Sequence, residues 1–388
     1  MNILFMDWKC FGREKTINTF EEMGHKVFPF SHKDYQERHS EDFIKEFSDF
    51  ADRKNIDLTF SWNYFPTLAF ACHEKNITYV SFLYDNPYVM LYDYTLAFET
   101  NRVYLFDSTE YNFFIKGGLN NVFYEVLPGD TDRVEPLLKK PYDRARLTSD
   151  VSFVGQLYSE EHTFLDRVTD AGDEYLNGYL RGIIEAQKKV AGYNFIEELL
   201  DEPILKRMYD AYPYEPDRKS VETPGYTYAN YFVNRKITSE ERYALISRIG
   251  REIPDKLKLF TWNKDTKIPG IKNMGIAEYY NEMPIVFNKS RINLNITLRS
   301  IKTGIPLRCM DIMSCGGFLL TNFQEDMLSF FTPGEDYDYY EDENDLLAKI
   351  EYYLSHEKER AEIAENALRK VKENHTYRAT FERILGEN

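Results

Sequence analysis

The stretch KTGIPLRCMDIMSCGGFLLTN, residues 302–322, carries the pattern that decides the fold. Gly304 and Pro306 precede a run of helical spacing, and a proline suits the first helical position because no N–H is missed there. Gly316 and Gly317 are best explained as helix termination and close packing, since an apolar strand follows at once. We therefore predict a helix followed directly by a buried strand, as in a parallel α/β sheet.

The same stretch places two charges inside the first turns of the predicted helix. Arg308 lies near the positive end of the helix dipole, which disfavours a cation. Asp311 follows three residues later and so shares its face. Either the two side chains form a local pair on a solvated helix, or Arg308 faces a phosphate while Asp311 accepts hydrogen bonds from a ribose diol. Gly304, after Thr303, would let the backbone approach that ligand.

Alternating strands and helices extend outward from this stretch in both directions. Short apolar runs separated by amphipathic stretches predict a parallel sheet covered on both faces. The alternation restarts with a new strand, DVSFVGQLY, and is interrupted by a helical region that begins with one long helix over 172–201. We predict an α/β protein of two Rossmann-like domains facing a cleft. Its parts are a first domain (1–149), a second domain (150–370) with a helical insertion (about 160–250), and a C-terminal helix (371–388) that packs back on the first domain.

Composition and charge exclude several classes of protein. With 29% charged and 43% hydrophobic residues, the chain has the composition of a folded soluble protein. A formal net charge of −16 argues against binding nucleic acid or an anionic membrane by bulk attraction. No apolar run approaches the roughly 18 residues that span a bilayer, and the first residues do not resemble a signal peptide. We expect a cytoplasmic protein with no nucleic-acid partner and no integral membrane segment.

Cysteines and paired acids give no metal signature. The four cysteines have neither Cys-x-x-Cys spacing nor a nearby His, so we predict buried, reduced thiols; they are Cys10, Cys72, Cys309 and Cys315. Asp130 and Asp132 are spaced as in some Mn²⁺ or Mg²⁺ sites. That spacing is common by chance in a chain with 64 acidic residues, and their loop suits an interdomain hinge. We expect no bound metal and no cofactor.

Loops at the carboxyl ends of predicted strands supply the other candidate ligands, because ligands bind at that edge of a parallel sheet. Arg299 and Lys302 precede the helix of the opening stretch, and we predict that they bind a diphosphate; a scattered solvated face is the alternative. Asp85 could orient a sugar or accept a proton from a hydroxyl nucleophile, although turn chemistry alone favours Asp-Asn-Pro there. Four further candidates lie in such loops: Lys9, Gly12, Asn86 and Gly155.

Three segments together resemble the CgeB-type (spore-maturation-like) glycosyltransferases of the GT-B fold. They are residues 289–321, YVSFLYDNP (79–87) and residues 331–360, and the resemblance runs over most of the chain. It implies two Rossmann-like domains around a nucleotide-sugar cleft, with the donor bound largely by the second. In related retaining enzymes a Glu at the place of Asp311 binds the ribose. Another Glu often stands eight residues earlier, where this chain departs from the pattern with Thr303.

The resemblance implies a bacterial hexosyltransferase that moves a sugar from a nucleoside diphosphate to a hydroxyl of a glycan or other acceptor, with retention and without a metal. Cations such as Arg299, Lys302 and Arg308 would stabilise the leaving UDP or GDP. Two alternatives remain open. One is a nucleotide-sugar epimerase of the same fold, which needs no acceptor. The other is a non-catalytic nucleotide-sugar-binding or coat-assembly protein, which Thr303 makes conceivable.

Overall fold

The computed structural model describes residues 1–159 and 163–386, so the first residues of the predicted insertion and the last two of the chain lie outside the described residues. Within these ranges the strands are β1 (Asn2–Met6), β2 (Lys26–Phe30), β3 (Leu58–Trp62), β4 (Thr78–Phe82), β5 (Asn101–Leu105), β6 (Val122–Tyr124), β7 (Val151–Val154), β8 (Leu257–Phe260), β9 (Lys272–Asn273), β10 (Ile292–Asn295), β11 (Leu319–Asn322) and β12 (Asp338–Tyr340). The helices are α1 (Arg13–Glu22), α2 (Glu41–Lys54), α3 (Pro66–Lys75), α4 (Ser108–Lys116), α5 (Val134–Leu138), α6 (Arg144–Leu147), α7 (Phe164–Ala171), α8 (Glu174–Gln187), α9 (Ile196–Leu199), α10 (Glu202–Ala211), α11 (Pro224–Thr227), α12 (Asn234–Glu252), α13 (Met283–Lys289), α14 (Leu307–Ser314), α15 (Met327–Phe330), α16 (Glu343–Ser355), α17 (Glu357–Asn374) and α18 (Tyr377–Gly386). Shorter 3₁₀ turns lie at Val89–Tyr92 and Tyr94–Ala97, and a π-helical turn lies at Tyr228–Val233.

Two parallel six-stranded sheets organise the described residues. The first has the order β2-β1-β3-β4-β5-β6 and the second the order β12-β11-β10-β7-β8-β9. Their central strands are buried along their whole length, as at β3 and β10, because helices cover both faces. The strand order reverses between β1 and β3 and again between β7 and β10. The predicted class is confirmed: an α/β protein of two Rossmann-like domains with helices α7 to α12 between β7 and β8.

The chain divides into two compact units that are not continuous in sequence. The first contains Met1–Leu127, Glu215–Thr227 and α18; the second contains Pro128–Tyr214 and Tyr228–Thr376. The first boundary therefore lies between residues 127 and 128, whereas the sequence pattern predicts it between residues 149 and 150. Within the first unit α18 packs on α1 through Phe381 and Phe20, whose ring centroids lie 4.3 Å apart.

A short segment of the insertion, Glu215–Thr227, belongs to the first unit. The ring centroids of its Tyr226 and of Tyr92 lie 4.3 Å apart. Its Glu222 carboxylate is buried and lies 3.4 Å from the Arg38 guanidinium, which also donates to Asp93 at 3.2 Å. The helical pattern predicts that this whole region belongs to the second domain. The separate position of Glu215–Thr227 leaves no local signal in the sequence, because the partners of Tyr226 and Glu222 lie more than a hundred residues away.

The single long helix predicted over 172–201 is wrong. Helix α8 ends at Gln187, whose buried side-chain amide donates to the Tyr193 carbonyl at 2.8 Å and accepts from the Phe195 amide at 2.9 Å. Gly192, with φ of 73°, adopts a left-handed conformation in the turn between. The chain therefore reverses direction before the short helix α9. The turn between α8 and α9 forms one wall of a cavity in the second unit.

The opening stretch folds into α14 and β11. Pro306 lies at the N-cap, with ψ of 149°, and not at the predicted first helical position. Gly316, with φ of 70°, ends the helix. A Cβ on Gly317 would lie 2.6 Å from the Phe287 carbonyl oxygen and 2.6 Å from the Asn293 amide. The interpretation of the double glycine as helix termination and close packing is confirmed.

Replacing Gly317 by alanine should lower the free energy of unfolding by about 1–3 kcal/mol, because its Cβ would overpack against backbone. Urea denaturation followed by circular dichroism measures the change. Gly316→Asn is the matched control, because asparagine tolerates positive φ and its Cβ would meet neighbours only at 3.5 Å. Equal losses in the two variants would contradict the packing argument at residue 317.

Candidate functional site

A buried guanidinium joins the ends of the two strands at which the second sheet reverses its order. Arg242 on α12 donates from Nε to the Ile296 carbonyl, after β10, at 3.0 Å. Its Nη1 donates to the Gln156 carbonyl, after β7, at 2.5 Å. The guanidinium carbon lies 5.5 Å and 5.0 Å from the ring centroids of Phe153 and Tyr158. Arg242 therefore fixes the two loops that border the point where ligands of open α/β sheets bind.

The charge of Arg242 is balanced by carbonyl dipoles and rings rather than by a carboxylate. Its residue surface is 8% exposed, and no acidic side chain forms an ion pair with it in the described ranges. Burial lowers the pKa of Arg242, and the nearby charge of Arg308 lowers it further. Keeping a cation away from water without an anion is costly. The edge of the sheet at β7 and β10 is therefore poised to accept negative charge.

A second cluster lies at the start of α14 and consists of Arg133, Asp311, Arg308 and Tyr279. The Asp311 carboxylate accepts from Arg133 Nη2 at 2.7 Å, from Arg308 Nη1 at 3.2 Å and from the Tyr279 hydroxyl at 3.3 Å. The Arg133 guanidinium also lies over the Tyr279 ring, 5.2 Å from its centroid. We call this set the Asp311 cluster. The contact with Asp311 explains why a cation is tolerated near the positive end of the helix dipole, because the Arg308 guanidinium faces a carboxylate of its own helix.

The Asp311 cluster holds two guanidinium groups for one carboxylate. Burial alone would lower the pKa of Arg133, but the Asp311 carboxylate raises it well above its ordinary value. Burial raises the pKa of the Tyr279 hydroxyl, which therefore stays a neutral donor. The side chains of Arg133 and Asp311 are 10% and 7% exposed, while that of Arg308 is 27% exposed. The excess positive charge thus reaches solvent through Arg308.

The structure contains one of the two interpretations of Arg308, the local pair with Asp311, while the contact of Arg308 with a phosphate stays a prediction. The local Arg308–Asp311 pair is present, but the helix is buried from Cys309 to Ser314 rather than solvated. Arg308 Nη1 is taken up by Asp311 and the Met283 sulfur, and its Nε and Nη2 have no hydrogen-bond partner among the described residues. These two nitrogens, with three N–H groups, are available for an anion.

The other two residues predicted around the start of α14, Thr303 and Gly304, lie in the buried loop that precedes this helix. The Thr303 carbonyl accepts from the Asp326 amide at 3.1 Å, and the Gly304 carbonyl accepts from the Gln324 side chain at 2.9 Å. A Cβ on Gly155, just after β7, would meet the Phe153 ring at 3.3 Å. These contacts show how the loop and strand end are held; the predicted contacts with a substrate stay predictions.

Arg299 and Lys302 lie together, away from the Asp311 cluster. Arg299 forms an ion pair with Glu241 on α12, and its Nε lies 2.8 Å from one carboxylate oxygen. Lys302 Nζ lies 3.5 Å from the Glu197 carboxylate. Burial would lower the pKa of Arg299, but Glu241 raises it. Both cations line a cavity of about 490 Å³ in the second unit. Their predicted contact with a diphosphate would have to compete with these carboxylates.

The predicted loops of the first unit surround the carboxyl ends of β1, β3 and β4. Lys9 is exposed with φ of 63°. Asp85 accepts from the Asn63 side-chain amide, just after β3, at 2.6 Å, and Asn86 donates to Glu110 at 3.3 Å. The Asp85 carboxylate reaches solvent, yet the burial of its surroundings raises its pKa, against the effect of the Asn63 hydrogen bond.

Gly12 has a structural explanation that needs no substrate. Its φ is 74°, and a Cβ on it would lie 2.4 Å from the Tyr377 hydroxyl of α18. A side chain at residue 12 would therefore be strained at this φ and would require the Tyr377 ring to shift. The predicted role of Gly12 in binding a substrate remains a prediction beside this packing role.

Arg133 and Arg242 were not singled out in the sequence. Arg133 belongs to the PGDTDRVEP loop, where the paired aspartates drew attention instead. Arg242 offers a signal that could have found it, because it shares the buried face of α12 with Leu245, Ile246 and Ile249. A charged residue on an apolar helix face is a candidate for a buried functional group.

The four cysteines are free and buried, as predicted. Burial raises the thiol pKa to about 12 at Cys10, Cys72 and Cys309 and to about 11 at Cys315. Groups of His, Cys, Asp or Glu that could hold a metal ion are absent from the described residues. Helices long and apolar enough to cross a membrane are also absent from residues 1–159 and 163–386.

At pH 8 the native protein should react with a thiol-specific disulfide reagent many times more slowly than the unfolded chain. The raised pKa leaves little thiolate below pH 10, and burial blocks access. Absorbance of the released thiolate, followed with and without guanidinium chloride, measures both rates. Rapid reaction of one or more cysteines in the native protein would contradict the burial described above.

Comparison with known proteins agrees with the two-sheet fold. Residues 234–386 match the profile of a family described as glycosyl transferase-like, and this match covers less than half of the chain. No curated protein matches the chain. Among solved structures, HepE from Anabaena with UDP-glucose shares 13% identity and sucrose-phosphate synthase from Thermosynechococcus elongatus shares 9%, each with a TM-score of 0.51. The alignments cover 100% of this chain and 98% of HepE, and 99% of this chain and 96% of the synthase. The likeness shows that the chain has the GT-B fold.

Proposed function

We propose that this protein is a metal-independent glycosyltransferase, of the bacterial CgeB type, that transfers a hexosyl group from a nucleoside diphosphate to a hydroxyl. The observation that carries the proposal is the excess of guanidinium groups at the reversal point of the second sheet. Arg308 and Arg133 share one carboxylate there, Asp311, and Arg242 has none, in a chain of net charge −16. Three of these four residues lie in the segment that matches the glycosyl transferase-like family.

The leaving diphosphate is the anion that suits this charge. Its oxygens would accept from the free N–H groups of Arg308, while Arg242 supplies charge from behind the β7 and β10 loops. Asp311 already accepts three hydrogen bonds, so it retains about one lone-pair direction for a ribose hydroxyl. Its larger role would be to orient Arg308. Because HepE was solved with UDP-glucose, UDP-sugars are the donors to test first, with GDP-sugars next.

Charge stabilisation is the chemical task of this site. Departure of the diphosphate leaves an oxocarbenium-like sugar, and fixed guanidinium groups oppose the negative charge that grows on the leaving oxygens. Because these groups are held by Asp311 and by backbone carbonyls, they need little rearrangement during the reaction. Retention of configuration would follow if the acceptor hydroxyl attacks from the side that the diphosphate leaves. Arg299 and Lys302 are not assigned to the phosphates, because Glu241 and Glu197 already engage them.

The first unit would present the acceptor. Asp85 is exposed at a strand end and is suited to hold or deprotonate the attacking hydroxyl, with Lys9 and Asn86 beside it in sequence-predicted loops.

We also propose a cytoplasmic location, because four reduced thiols suit a reducing compartment and nucleotide sugars are made there.

If Asp85 acts as a base, kcat/KM should rise with pH through a pKa above the ordinary value of about 3.9 for aspartate. The direction follows because burial of its surroundings raises the Asp85 pKa and only the deprotonated form accepts a proton. Steady-state rates from pH 4 to 8 measure the profile. Asp85→Asn should remove this acid limb along with most of the activity. Asp93→Asn is the control, because it changes a buried carboxylate of the same unit that has no proposed role in the reaction. An unchanged profile in Asp85→Asn would contradict the role.

Incubation with a panel of UDP- and GDP-sugars tests the proposed function as a whole. Release of UDP or GDP that increases when a glycan acceptor is added is the expected result. Conversion of the donor into an isomeric nucleotide sugar, detected by NMR without acceptor, would favour the epimerase. Binding of UDP with neither release nor isomerisation would favour the non-catalytic binding protein.

A further inference from the structure

The cavity of about 490 Å³ in the second unit is walled by the insertion on one side and by strand ends on the other. We call it the insertion cavity. Its walls come from the turn after α8, from α12, from the loops after β10 and β11, and from the start of α16. The volume lies within the range of about 300–1,000 Å³ that small-molecule sites occupy. Among the described residues, its lining excludes Arg133, Arg242, Arg308 and Asp311.

Arg242 does not line the insertion cavity, although Ile296, whose carbonyl accepts its Nε hydrogen bond, does. Arg242 points toward the carbonyls after β7 and β10, while Glu240, Glu241 and Ala244 line the cavity. A diphosphate held near Arg242 and Arg308 would therefore leave the insertion cavity for a different ligand.

The charges of the insertion cavity do not favour an anion. Of the described residues, six carboxylates and four cations line it. Lys188 is paired with Glu240 at 3.0 Å, Arg299 with Glu241, and Lys302 lies 3.5 Å from Glu197. A phosphate would face an excess of negative charge and cations that are already engaged. A neutral ligand would keep these ion pairs intact.

Amides and aromatic rings complete the lining. Asn194, Asn322 and Gln324 supply side-chain amides, and Tyr193 and Phe323 supply rings. The Tyr193 residue surface is 56% exposed. Carboxylates accept from hydroxyl groups, and ring faces cover C–H surfaces. The side-chain N–H groups of Asn194 and Asn322 are used within the protein, whereas Gln324 Nε2 keeps one N–H after its bond to the Gly304 carbonyl. A neutral molecule rich in hydroxyls with apolar C–H faces, that is a saccharide, matches this combination.

We propose that the insertion cavity binds a saccharide unit of the acceptor, which makes the insertion an acceptor-recognition element; this rests on the proposed transfer to a hydroxyl. The acceptor chain would be a neutral glycan rather than a phosphorylated or strongly acidic one. Recognition here adds no chemical step, because the reacting hydroxyl would lie on another unit of the same chain.

Saturation-transfer NMR with maltotriose, chitotriose and mannotriose, together with calorimetry for UDP, tests the proposal. Ala244 is exposed on the cavity wall of α12, so Ala244→Trp places an indole in the cavity without disturbing a buried core. Tyr243 is 48% exposed on the same helix and does not line the cavity, so Tyr243→Trp is the matched control. We expect at least one trisaccharide to bind the wild type and Ala244→Trp to weaken it at least tenfold. Tyr243→Trp should leave it unchanged, and UDP affinity should change less than twofold in both variants.

Three outcomes would overturn the proposal: no trisaccharide binds the wild type, UDP displaces the trisaccharide from the wild type, or Tyr243→Trp loses as much affinity as Ala244→Trp. Circular dichroism checks folding, and Ala191→Trp, on the opposite wall, replaces Ala244→Trp if that variant does not fold. Failure of the wild type to bind UDP would instead count against the proposed function and leave the saccharide measurement intact.

Discussion

Replacing Arg308 by alanine is expected to lower kcat by about 100- to 1,000-fold, or about 2.7–4 kcal/mol of transition-state stabilisation. The reason is that its Nε and Nη2 are unshared donors on a partly exposed side chain of the Asp311 cluster and, in the proposed function, bind the leaving diphosphate. The fold should persist, because Asp311 keeps its hydrogen bonds from Arg133 and Tyr279. Release of UDP from a UDP-sugar measures the rate, and thermal unfolding measures stability.

Arg308→Lys and Arg299→Ala are the controls for this result. Lysine keeps the charge but loses the forked geometry, so part of the rate should return. Arg299→Ala should cost far less than Arg308→Ala, because Arg299 is already engaged by Glu241. A large loss in Arg299→Ala with normal turnover in Arg308→Ala would place the diphosphate in the insertion cavity. That outcome would contradict both the assignment of Arg308 and the acceptor role of the cavity.

Asp311→Ala should lower the free energy of unfolding by about 3–5 kcal/mol, because it leaves the buried Arg133 guanidinium without its carboxylate. UDP binding should weaken as well, since Arg308 loses its orienting partner. Urea denaturation and calorimetry measure the two effects separately.

A double-mutant cycle sharpens the argument on Asp311. Arg133→Met removes the charge that Asp311 neutralises, so Asp311→Ala should cost much less in that background. Equal costs of Asp311→Ala in both backgrounds would show that the Arg133–Asp311 contact contributes little to stability.

The fold was predictable because its signals are local. The helix of the opening stretch and the strand after it are defined by Pro306, Gly316 and Gly317, which act within a few residues of their own positions. The insertion was harder, because the turn after α8 depends on Gln187 reaching forward to Tyr193 and Phe195, a polar contact that helical periodicity does not show.

The site was predictable only in part. Arg308 and Asp311 could be paired from spacing alone, but Asp311 also binds Arg133, which lies 178 residues earlier. Arg299 looked available in sequence because Glu241, its partner, precedes it by 58 residues. Charge in a loop indicates neither burial nor partner, so sequence alone could not say which cations are left for a ligand.

The division of the chain into units has a consequence for how the protein can be taken apart. The polypeptide passes between the two units four times, at residues 127/128, 214/215, 227/228 and 376/377. No single cut yields a fragment that contains all of one unit and none of the other. A fragment that stops near residue 127 lacks both Glu215–Thr227 and α18, so it would expose the surfaces of Tyr92 and Phe20 that these segments cover. Genetic exchange of one half with a relative therefore requires three matched segments rather than one junction.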